Sequence, residues 1–138
     1  MNNTVTLTVT SLLTILLSSF HLADDVVKGI EPGGTSNYIG VMIMAVFLFA
    51  TLMLAGRRWA HLIVLLGSIG GAYVPYLHMT GNGLVGPRIV NAGGVFFWVW
   101  TLLALGATAS VAAVLAARGL WQLQWGKAPR LEHPLRTQ

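Results

Sequence analysis

Four long apolar stretches dominate the chain, at residues 4–23, 37–56, 60–79 and 93–117. Each is close to the ~20 residues a helix needs to cross a bilayer. The opening Thr4-Val5-Thr6-Leu7-Thr8-Val9-Thr10 alternates like a strand, but the apolar run from Ile15 to Phe20 decides for a helix. On that helix Thr4, Thr8, Ser11, Thr14, Ser18, His21 and Asp25 recur at steps of three or four, so they share one face. A membrane helix turns such a face toward partner helices or a wet cavity.

The third and fourth stretches carry small residues at contact spacing. Gly67-x-x-x-Gly71 and Ser68-x-x-x-Ala72 lie on the third; Gly106-x-x-x-Ser110, Ala109, Ala113 and Ala117 lie on the fourth. Helices in lipid associate through such faces, within a subunit or between copies. The expected partners are therefore the lipid bilayer and a homo-oligomer or larger membrane complex joined through helices 3 and 4. The second stretch has only Gly40 and Ala45, and its Met42, Met44, Phe47 and Phe49 read as lipid-facing or plain packing. Pro75, inside the third, removes a backbone hydrogen bond just before His78 and is expected to bend the helix.

Turn signals separate the stretches: Glu31-Pro32-Gly33-Gly34, then the tight Gly56-Arg57-Arg58-Trp59, then a loop with Gly81, Gly83, Gly86 and Pro87. Trp121 and Trp125 predict an interfacial extension of the fourth helix to 125. Residues 1–126 thus read as one transmembrane domain and 127–138 as a flexible tail.

Composition agrees with this layout. Of 138 residues 55% are hydrophobic and 9% charged, with mean hydropathy +0.72; a soluble domain carries about 25% charged residues. With no cysteine, disulfides, thiolate metal ligands, CxxC redox chemistry and covalent haem attachment are excluded. The net charge of +4 does not imply nucleic acid, because the basic residues flank the apolar stretches instead of forming one face. Arg57, Arg58, Arg118, Lys127, Arg130 and Arg136 fall on one side, Lys28 and Arg88 on the other. Both termini are therefore expected in the cytoplasm. Met1-Asn2-Asn3-Thr4 lacks a positive charge and Phe20-His21-Leu22-Ala23 is a poor cleavage site, so the first stretch reads as a retained helix.

This topology puts His21 and His78 at similar depth near the extracytoplasmic face. Asp25 lies one turn past His21, and Asp24 about 100° further round the helix. Two imidazoles and one or two carboxylates are ligands for a divalent metal, so His21, Asp25, His78 and Asp24 form the candidate set. His21 and His78 are also the minimum for a haem b held between helices. Arg88 is a candidate anion contact. The polar line ending in His21 and Asp25 admits a proton path, although hydroxyls of this kind also bond back to carbonyls of their own helix. Ser18 or Ser19 with His21 and Asp24 imitates a hydrolytic triad, but one helix cannot supply its geometry. No phosphate-binding glycine motif is present. Against all of these stands the plain alternative, histidines and acids that only mark a membrane interface.

In outline the chain resembles small four-helix bacterial membrane proteins, a likeness that implies no chemistry. The expectation is an all-α membrane protein: a four-transmembrane-helix bundle in the bacterial inner membrane, both termini cytoplasmic. Its expected function is that of a non-enzymatic accessory or binding component with a His/Asp cluster at the extracytoplasmic face. The alternatives are a metal- or haem-b-binding protein and a proton-coupled transporter element.

Overall fold

The computed structural model describes residues 3–31, 33–35, 37–80 and 94–125. The loop containing Arg88 and the tail from Lys127 lie outside the described residues. All regular structure among the described residues is helical: α1 (Asn3–Val27), α2 (Asn37–Met53), α3 (Arg58–Thr80) and α4 (Val95–Trp125). Three of these, α1, α3 and α4, are long and apolar enough to cross a membrane. With 17 residues, α2 is shorter: about 25 Å at 1.5 Å per residue, against a hydrocarbon core of about 30 Å. The apolar pattern runs on to 56, but Gly56 adopts a φ of +78° and the chain turns. Arg57 N–H closes that turn on the Leu54 carbonyl at 2.9 Å.

The end of α1 positions the site described below. Gly29 takes a φ of +66°, its N–H bonds the Val26 carbonyl at 3.1 Å, and Ile30 N–H bonds the Asp25 carbonyl at 2.9 Å. This is a Schellman cap, with glycine where the left-handed residue is required. Just past the cap, Ile30 packs across the bundle against Trp98 and Leu102 of α4.

The polar line of α1 faces inward. Ser11, Thr14, His21 and Asp25 are buried, while Val5, Val9, Leu13, Leu16 and Phe20 on the other side are exposed. Facing α1 and α3 is α4, which packs closely on both; α2 touches its neighbours less. The small residues make the close approach of α3 and α4 possible. A Cβ added to Gly106 would lie 2.7 Å from Pro75 Cγ, and one added to Gly71 would lie 3.2 Å from Ala109 Cβ. The proline ring therefore seats on a glycine of the next helix. Of α2 only Phe47, Ala50 and Thr51 are buried. Its half nearer Asn37 meets α1, where Gly40 lies beside Leu22 and Met44 beside Ser19, but leaves Tyr38, Ile39, Met42 and Ile43 exposed.

Candidate metal centre

Three helices converge on one point. From α1 come His21 and Asp25, one turn apart on the buried face. From α3 comes His78, near the end of the helix beyond Pro75. Trp98, in the first turn of α4, lies between them and is fully buried.

The two imidazoles meet through their Nε2 atoms at 3.2 Å. Asp25 Oδ2 lies 3.5 Å from His21 Nε2 and 3.6 Å from His78 Nε2. The other carboxylate oxygen, Oδ1, accepts the Trp98 indole N–H at 2.5 Å. Aromatic contacts hold the rings: His78 meets His21 edge-on at 5.0 Å between centroids, and Trp98 packs on His21 at 5.4 Å and on His78 at 5.2 Å.

The three facing atoms form a nearly equilateral triangle, and its size has chemical meaning. A tetrahedral ion with metal–ligand bonds of about 2.0–2.1 Å spaces its ligands about 3.3–3.4 Å apart. The circle through His21 Nε2, His78 Nε2 and Asp25 Oδ2 has a radius of about 2.0 Å, so an ion near its centre reaches all three at bonding distance. An imidazole nitrogen is either a donor or an acceptor, so one proton at most lies between the two Nε2 atoms. The buried Asp25 carboxylate therefore faces two nitrogens and needs a compensating positive charge, either a proton or a metal ion. His21 Nδ1 is buried without a hydrogen-bond partner, so the ring is oriented by its packing and by its Nε2 contacts alone.

Of the four metal-ligand candidates, His21, Asp25 and His78 come together. Asp24 points elsewhere: its Oδ1 accepts the Lys28 ammonium one turn on, and its Oδ2 is buried without a partner. Arg88 lies outside the described residues. Tyr73 and Tyr76 are exposed and stack on each other at 5.1 Å between centroids. Trp98 is the residue that sequence reasoning missed. A tryptophan near the end of an apolar stretch reads as an interfacial anchor, and only its place one turn into α4, level with His78, hints otherwise. His61, at the opposite end of α3, is buried; a Cβ on Gly119 would come within 2.1 Å of its Cδ2. It takes no part in the centre.

No protein-family model, no curated protein and no solved structure matches this chain.

Proposed function

We propose that this protein is a small multi-pass component of the bacterial inner membrane, with both termini cytoplasmic. In this reading it binds one divalent transition-metal ion near its extracytoplasmic face and serves as a binding or accessory component, not as an enzyme. The ligands are His21 Nε2, His78 Nε2 and Asp25 Oδ2. The observation that carries the reading is the triangle of 3.2, 3.5 and 3.6 Å between those atoms. A nitrogen-and-carboxylate set of this kind suits zinc, cobalt or ferrous iron better than calcium or magnesium. The Trp98 bond to Asp25 is the kind of outer contact that orients metal-ligating carboxylates.

The same distances argue against haem b. Two imidazoles on opposite faces of a haem iron set their nitrogens about 4 Å apart, twice an ordinary metal–imidazole bond. Here they are 3.2 Å apart, with Asp25 against both. A proton path along α1 is disfavoured by close packing around Gly71 and by the Thr14 hydroxyl, which donates to the Thr10 carbonyl of its own helix. A Cβ on Gly71 would meet Ala109 Cβ at 3.2 Å, Thr14 Cγ2 at 3.5 Å and Leu105 Cδ1 at 3.6 Å.

Elemental analysis of protein purified from metal-replete cells tests the reading, together with titration of the metal-stripped protein with Co²⁺. One equivalent in the wild type, lost in His78→Ala and in His21→Ala, is the expected result. A wild type that takes up no transition metal overturns it.

A further inference from the structure

An open groove of about 640 Å³ runs along the seam between α1 and α2, walled by those two helices and by the turn that joins them. On α1 it reaches from Ile15 to Val26 and on α2 from Leu48 to Asn37, eleven residues in each case. That is about 16 Å along either helix at 1.5 Å per residue, close to half of a hydrocarbon core of about 30 Å, which is the depth of one leaflet. The walls between those ends carry no charged residue. The Ser19 hydroxyl on them donates to the Ile15 carbonyl of its own helix at 2.8 Å.

The end beside Asn37 is different. Gly33 and Gly34 form its rim, and the loop passes so close that a Cβ on Gly33 would lie 3.0 Å from Val26 Cγ1. Asn37 lines this end, and its Nδ2 donates to Glu31 Oε2 at 3.5 Å. The other atom of the amide, Oδ1, is buried without a hydrogen-bond partner. Glu31 has no cation beside it among the described residues, since Lys28, the nearest in sequence, pairs with Asp24. This end therefore presents an unpaired acceptor and an uncompensated carboxylate, and a positively charged donor satisfies both.

An apolar tail one leaflet long below an ammonium is the outline of an amine-bearing phospholipid. We propose that the α1–α2 groove binds one phosphatidylethanolamine molecule, with an acyl chain lying between Ile15 and Val26 and the primary ammonium donating to Asn37 Oδ1 and Glu31. The quaternary ammonium of phosphatidylcholine has the same charge but no N–H, and phosphatidylglycerol has the same phosphate but no cation. The groove shares no residue with the metal centre, so the proposal rests on the membrane reading above and not on a bound ion. Ala45 also lines the groove and is exposed, so a larger side chain there fills it without entering the packed core.

The test uses the full chain in mild detergent, titrated with the three lipids matched in their acyl chains, and native mass spectrometry counts the molecules retained. The wild type is expected to hold one phosphatidylethanolamine about tenfold more tightly than either of the others. Glu31→Gln is expected to lose that preference while still holding lipid. Ala45→Phe is expected to weaken the binding of all three by a similar factor. Ala45→Leu, a smaller filler, is run beside it, so that a folding defect in the larger variant does not decide the result. Equal retention of the three lipids by the wild type overturns the proposal. So does a Glu31→Gln protein that keeps the preference, or folded Ala45 variants that bind as the wild type does. A chain that stays in solution without detergent overturns the membrane reading as well; one that needs detergent and holds the three lipids equally overturns this proposal alone.

Discussion

Trp98 and Asp25 are joined by a single buried hydrogen bond, indole N–H to carboxylate Oδ1 at 2.5 Å, and it determines which oxygen the histidines see. With Oδ1 committed to the indole, Oδ2 is the atom that faces His21 and His78.

Replacing the indole by a ring of similar shape removes that bond and keeps most of the packing. Trp98→Phe is expected to weaken metal affinity by about 10–100-fold, the usual effect of losing an outer-sphere partner. Competition with a chromophoric chelator measures it. An unchanged affinity means that the indole only fills space.

The two neighbouring acids are expected to behave differently. Asp25→Asn removes a ligand, so the loss of affinity exceeds that of Trp98→Phe. Asp24→Asn breaks the pair with Lys28 but removes no ligand, so its loss of affinity is expected to be far smaller than that of Asp25→Asn. Metal titration of both variants separates the roles, and equal losses contradict the assignment of Asp25.

The fit of Pro75 onto Gly106 is expected to tolerate no added carbon. In Gly106→Ala the new Cβ would lie 2.7 Å from a ring that cannot swing aside. A cost of about 1–3 kcal/mol follows from such overpacking. Because His78 lies three residues beyond Pro75, metal affinity falls with stability. Denaturant titration in mild detergent, with and without metal, reads both effects.

At Gly29 the strain is in the backbone alone. No atom lies within 4 Å of an added Cβ, but φ is +66°. Gly29→Ala is expected to cost about 1 kcal/mol through the left-handed conformation. Gly34→Ala, at a glycine without positive φ and with equal space, is the matched control. Equal stabilities of the two variants contradict the cap.

Part of this centre was legible from residue order. The step of four from His21 to Asp25 puts both on one helix face, and the hydroxyls below them mark that face as inward. His78 follows from counting crossings, since alternate helices return to the same end. Separating Asp24 from Asp25 needed only the 100° between successive residues, although both remained candidates until Lys28 was seen to take Asp24. Trp98 was not legible. Whether a tryptophan near a helix end faces lipid headgroups or the bundle depends on helix rotation, and the apolar half of α4 around Trp98 carries no continuous polar stripe to set it; its small residues were the one clue. The placement of α2 was hidden for the same reason. A helix without a polar stripe has no sequence-level preference for which side it buries, so the groove beside it is a property of the assembled bundle.

The cap at the end of α1 has a further consequence. Asp25 is anchored twice, by a carbonyl that terminates the helix and by a carboxylate pinned to the indole. Its orientation is already settled before any cation arrives, so little freedom is surrendered on capture, and selectivity by size follows from a ligand that cannot swing to meet a larger ion.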